Sequence, residues 1–174
     1  MTSQPTAAAG YDQGAAPAPQ RPGTLLAAIA VAVVGALASL VNGILMAVGA
    51  EDLFIDILAS AAGVSAEEVS AVVPAIVLDE GVDTLSTRGT MALVVGVGLL
   101  VFGALLRGAA VWARVAMTVF ALATVLVGGR VATDEGTGLM LGLGWLAVVG
   151  SIVAIVLAWL PANHRYAKAL KAKN

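Results

Sequence analysis

The sequence predicts an all-α membrane fold, an antiparallel bundle of four transmembrane helices with two short amphipathic helices between the first and second. Three observations predict it. Hydrophobic residues make up 60% of the chain and charged residues only 11%, and the mean hydropathy is +0.98, far from the balance of a soluble domain. Uncharged runs recur at 22–50, 89–106, 115–129 and 136–163. The charges between those runs segregate by sign.

A helix needs roughly 20 apolar residues to cross the hydrocarbon core. The first, second and fourth runs are long enough. The third is long enough if it carries Arg114 in its first turns, where an arginine can snorkel to the headgroups. The expected spans are about 24–50, 89–107, 109–129 and 137–160.

Four spans place both termini on one side. That side holds Arg21, Arg107, Arg114, Arg165, Lys168, Lys171 and Lys173 against the single acid Asp12. The other side holds Arg88 and Arg130 among Glu51, Asp52, Asp56, Glu67, Glu68, Asp79, Glu80, Asp83, Asp134 and Glu135. The positive-inside rule then makes both termini cytoplasmic and residues 51–88 and 130–136 extracytoplasmic, in the plasma membrane.

Taken in order, residues 1–22 are rich in Ala, Pro, Gly and Gln and predict a disordered cytoplasmic tail. The membrane domain spans 23–164. Its first run ends in "MAVGA", which resembles a signal-peptide cleavage site. The run far exceeds a signal core of roughly 7–15 residues, so an uncleaved anchor is expected. Gly35, Ser39 and Gly43 fall at i, i+4 and i+8, a stripe where another helix can come close, with Asn42 placed to hydrogen-bond across the contact.

Residues 51–88 form the sizeable extramembrane segment. Leu53, Phe54, Ile57, Leu58 and Ala61 recur at helical spacing, and Gly63 ends that helix. Ser65 and Glu68 of "SAEE" have capping-box spacing. Val69, Val72, Val73, Ile76 and Val77 give the next helix an apolar face, divided at Pro74, with Gly81 as its expected C-cap. The polar faces are acidic, where a lipid-lying helix favours basic ones, so packing on the protein's own helices is expected.

In the hairpin 107–114, "RGAAVWAR", Arg107 ends the second span. Trp112 anchors at headgroup level, and Arg114 points back to the cytoplasmic phosphates. The fourth run opens with Gly138 and Gly142 as a GxxxG, expected to serve packing within the chain. Trp159 marks the inner interface, Pro161 stops the helix, Arg165 adds a further anchor, and 165–174 is a basic cytoplasmic tail. His164 reads as a surface histidine.

The chemistry is sparse. The chain has no cysteine and one histidine, which removes disulfides, thiolate sites and most candidate bases. No acid lies inside a span, where ion-coupled transport normally places one. No HExxH, GxSxG, phosphate loop or CxxC occurs. The paired acids lie in solvated segments and read as wet surface. No catalytic residue, cofactor, metal or nucleic-acid partner is expected, and the protein is read as a non-enzyme.

The tail, "RGAAVWAR" and "WLPANHRY" (159–166) together resemble small four-helix integral membrane proteins of high-GC Gram-positive bacteria, a functionally uncharacterised group. The resemblance implies a location and a fold, and carries no activity. The expected function is structural or interactive, through helix packing with the bilayer, a second copy or another membrane protein. The competing readings are a small transporter or channel subunit lined by Ser39, Asn42, Thr118, Thr124 and Ser151, and an envelope sensor using the acidic segment.

Overall fold

The computed structural model describes residues 20–108, 110–134 and 136–172. Most of the expected N-terminal tail, together with Glu135 and Lys173, lies outside the described residues. The described chain runs α1 (Gly23–Val48), α2 (Ala50–Ala62), α3 (Ala66–Val72), α4 (Ala75–Leu105), a 3₁₀ turn at Leu106–Gly108, α5 (Val111–Thr133), α6 (Gly138–Ala158) and α7 (Pro161–Lys171). It is all-α, and α1, α4, α5 and α6 are long and apolar enough to cross a membrane. Their outward faces carry Leu37, Val41, Ile44, Val94, Val101, Leu122 and Leu126, all exposed. A water-soluble bundle would be polar there. This is the build of a multi-pass membrane protein.

Helix α1 packs along α4 on one side and α6 on the other. Helix α5 closes the ring against α4 and α6 and scarcely touches α1. Close approaches give the register. Gly43 meets Gly89 and Gly103 meets Ala32 between α1 and α4, while Gly35 meets Gly150 and Ala147 of α6. Gly128 of α5 meets Gly144 and Ala147 of α6. Apolar side chains gather in two clusters. One lies towards α7 around Leu25, Leu99, Leu106 and Met117. The other lies towards α2 around Met46, Leu85, Val131 and Met140.

The α2 end follows from local chemistry. Gly63, at φ 69°, takes the left-handed conformation that closes α2, and Val64 N–H reaches Ala59 O at 3.1 Å. Ser65 and Glu68 form the capping box. The Ser65 hydroxyl accepts from Glu68 N–H at 3.2 Å, and the Glu68 carboxylate accepts from Ser65 N–H at 2.9 Å. These bonds hold the Glu68 carboxyl below its usual range, the backbone bond contributing most. Since the folded group has the lowered pKa, its stabilisation is complete above the ordinary carboxylate range and is lost as pH falls through the folded value. Amide exchange across Val69–Val72 should therefore accelerate in acid. Ser65→Ala should produce the same acceleration at neutral pH.

Three expectations change. Gly81 is not a C-cap. Pro74 is the N-cap of α4, and nothing after it breaks the helix, so α4 runs from Ala75 into the membrane span. Gly81 instead faces Phe54 of α2, whose ring occupies the space a Cβ would need. The apolar face expected of the second amphipathic helix is only partly covered: Val69 is buried, while Val72 and Ile76 are exposed. The basic tail is in large part a helix. Pro161 ends α6 and then occupies the first turn of α7, where a missing N–H costs nothing. Asn163, Tyr166 and Ala167 turn inward on α7, leaving Arg165, Lys168 and Lys171 exposed.

Candidate functional site

Two groups of residues hold polar side chains inside the bundle: the polar and small residues of α1, and the arginine seat beneath α7. On α1, Gly35, Ser39, Asn42 and Gly43 are all buried. Positions four apart on a helix are offset by about 40°, so the stripe slews and serves two neighbours. Gly35 faces α6, and a Cβ there would lie 3.5 Å from Ala147 O. Gly43 faces α4, and a Cβ there would lie 2.9 Å from Gly89 O. Ser39 hydroxyl donates to Ala92 O of α4 at 2.9 Å. Asn42 Nδ2 donates to Met140 O of α6 at 3.2 Å, while its Oδ1 has no partner.

The other three hydroxyls of the expected pathway are placed differently, and Thr118 is only half-buried. Thr124 donates to Phe120 O at 2.8 Å within its own helix. Thr118 does the same to Arg114 O at 2.8 Å and accepts from Trp159 Nε1 at 3.0 Å. Ser151 Oγ is buried without a partner. The bundle interior also holds Ala28, Ala32, Ala36, Ala121 and Ala154, all fully buried.

Gly138 and Gly142 are not part of this packing. Both are exposed, and a Cβ at either meets nothing within 4 Å. The buried face of α6 is instead Met140, Gly144, Ala147, Gly150, Ser151, Ala154 and Ala158. GxxxG gives a spacing without an orientation, and Gly144 lies about 160° around the helix from Gly142, 200° counted in the other sense. The glycines that do pack on α6 belong to the opposite face.

Arg114 differs from its expected role. Its side chain is 1% exposed, not extended to headgroups. Nη2 donates to Asn163 O of α7 at 2.6 Å, and Nε has no partner. Asn163, also fully buried, ties three elements together. Its Nδ2 donates to Leu157 O at 2.7 Å, and its Oδ1 accepts from Thr24 of α1 at 2.9 Å. The physical reason is α7: once that helix folds under the bundle, it covers a position that would otherwise face the interface. Sequence reasoning missed Asn163, and the signal was there in the Pro161 that opens a helix and the 163, 166, 167, 170 spacing of its inner face.

The other residues expected to serve as anchors lie at the surface. Trp112 and Trp159 are exposed by about half or more, with the Trp112 ring edge-on to Phe102 at 6.3 Å. Arg107 and Arg165 are exposed. At the α2 end Arg88 Nη1 pairs with Asp134 Oδ2 at 2.7 Å, tying α4 to the segment after α5. Among the described residues no group of three or more His, Asp or Glu gathers in a way that could hold a metal ion. No family model, curated protein or solved structure matches the chain.

Proposed function

We propose that the chain is a plasma-membrane scaffold or interaction protein, an antiparallel bundle of four spans without a catalytic site, acting through helix faces on a second copy or another membrane protein. One observation carries the reading. Ser39 and Asn42, the two polar side chains on the buried face of α1, donate to main-chain carbonyls of α4 and α6. Their hydrogen bonds join helices, as polar groups in membrane interiors commonly do. A conduit would need those groups turned to water. The α6 face at Gly138 and Gly142, continued by Trp145, Leu146 and Val149, is the surface that this reading assigns to a partner helix, since no helix among the described residues covers it.

The orientation in this reading puts α7 and both termini in the cytoplasm and α2 and α3 outside. Its support is the distribution of charge. Arg21, Arg107, Arg114, Arg165, Lys168 and Lys171 collect at the α7 end, and the described acids collect at the α2 end. The resemblance to small four-helix proteins of high-GC Gram-positive bacteria belongs to the same proposal.

Two experiments test it. A cysteine placed at Ser70, in a chain that has none of its own, should react with an impermeant thiol reagent in intact cells, and a cytoplasm-dependent reporter at the C-terminus should be active. An unlabelled cysteine with a silent reporter would invert the topology. Purification in mild detergent should recover the chain with a second copy or a membrane partner, and Gly142→Leu should abolish that recovery without lowering thermal stability. Recovery of a lone chain from wild type would contradict the interaction reading.

A further inference from the structure

A groove of about 300 Å³ opens between α2 and the first turns of α4, lined by Phe54, Ile57, Val77, Gly81, Leu85 and, along one edge, Glu80, Thr84 and Arg88. Two rows on α4 shape it. Val77, Gly81 and Leu85 are four residues apart and form an apolar floor. Glu80, Thr84 and Arg88 repeat the spacing one position earlier or later around the helix and form a polar wall. Phe54 and Ile57 of α2 face them. The absence of a side chain at Gly81 lets the Phe54 ring sit down on α4.

Arg88 gives the groove its chemical preference. It sits at the membrane end, directly before the apolar run that begins at Gly89. Its guanidinium has five N–H donors. Among the described residues the hydrogen bond it makes is one, Nη1 to Asp134 Oδ2. The side chain is 37% exposed and lines the groove, so donors not taken by Asp134 remain available. Glu80 stands two turns away, about 12 Å along the axis, beyond the Debye length of roughly 8 Å at physiological salt.

We infer that this groove binds a small amphipathic carboxylate, with the carboxylate on Arg88 and the apolar body between Phe54, Ile57, Val77 and Leu85. Arginine recognises a carboxylate through parallel N–H donors, which a neutral polar head cannot match. Pockets that hold small ligands begin at about 300 Å³ and are mainly apolar with few placed polar groups. That volume suits a medium-chain carboxylate. Asp134 competes for the same guanidinium, so binding and the α4 to Asp134 tie are coupled through one side chain. This inference goes beyond the scaffold reading and does not depend on which side of the membrane α2 faces.

The test uses the full chain in nanodiscs of neutral lipid, titrated with octanoate and, separately, with 1-octanol, and read by calorimetry against empty discs. Octanoate should bind saturably, one per chain, and at least about tenfold more tightly than octanol. Arg88→Gln should weaken octanoate about tenfold and leave octanol unchanged. Asp134→Asn breaks the same ion pair while leaving Arg88, and should strengthen octanoate binding several-fold. That result separates loss of a ligand contact from loss of fold. Thr84→Trp, at an exposed position, should fill the groove and remove octanoate binding with the melting temperature unchanged. Octanoate uptake equal to that of empty discs, or equal for wild type and Arg88→Gln, would overturn the inference.

Discussion

Gly43→Ala and Gly89→Ala each push α1 away from α4 and destabilise the protein by about 3 kcal/mol, the upper part of the usual range for overpacking. A Cβ at Gly89 would stand 2.8 Å from Ala47 N and 2.8 Å from Gly43 O, and one at Gly43 would stand 2.9 Å from Gly89 O. Apart from Leu93 Cγ beside Gly43, the obstructing atoms are backbone, so no rotamer change relieves the clash. Alanine is also the better helix former by about 1 kcal/mol, and the substitution loses despite that advantage. The contrast is Gly142→Ala, where a Cβ meets nothing within 4 Å. There the propensity term stands alone, and the variant should be as stable as wild type or slightly more so. Thermal unfolding in detergent reads all three. Equal melting temperatures for Gly43→Ala and Gly142→Ala would mean that α1 and α4 are not in backbone contact.

Arg114→Met releases α7 from the bundle. The guanidinium donates to Asn163 O at 2.6 Å from a buried position, and a hydrogen bond from a charged group contributes about 1.5–3 kcal/mol. Methionine retains most of the apolar stem and removes the donor, which leaves Asn163 O without that partner. Asn163→Ala should act similarly, since it loses the bonds to Thr24 and Leu157 O. Arg107→Met, at an exposed position, should leave α7 in place. Amide exchange over Tyr166–Leu170 checks this directly. Fast exchange is expected in the Arg114 and Asn163 variants, and wild-type exchange in the Arg107 variant. Arg114→Lys is informative as well, because a lysine reaching only the headgroups would support the bilayer and still free α7.

The four long apolar helices were legible because length and hydropathy decide a span before any packing is known. Their inward faces were legible only where small and polar residues coincide. On α1, Gly35, Ser39, Asn42 and Gly43 differ enough from Leu37, Val41 and Ile44 to mark a face. On α6 the glycines and alanines occur all round. Spacing alone selected Gly138 and Gly142, whereas the neighbours select Gly144 and Gly150. Arg114 shows the same limit in a charged residue. Whether an arginine at a span's end faces phosphate or protein depends on what folds over it, and α7 lies some fifty residues further along the chain. Gly81 could not be read as a contact at all, since its partner Phe54 approaches from another helix. The order of helices around the ring is equally absent from the sequence, because hydropathy says that a helix spans and not which helices it touches.

The measurement that bears most directly on the central claim, that these four helices form one bundle closed on itself, is disulfide cross-linking in native membranes. The chain contains no cysteine, so introduced pairs report without background. A Cβ at Gly128 would lie 3.7 Å from that of Ala147, and one at Gly103 would lie 3.2 Å from that of Ala32. Disulfides join Cβ atoms about 3.5–4.5 Å apart. Oxidation should therefore cross-link Gly128→Cys with Ala147→Cys within a single chain, and Ala32→Cys with Gly103→Cys after a shift of a few tenths of an ångström. A control pair at Gly142→Cys and Val94→Cys, both exposed positions on α6 and α4, should remain reduced within the chain. Intrachain bonds in the two packed pairs are the predicted result. If those pairs stay reduced, or bond only between chains, the bundle described here is not the one the protein forms.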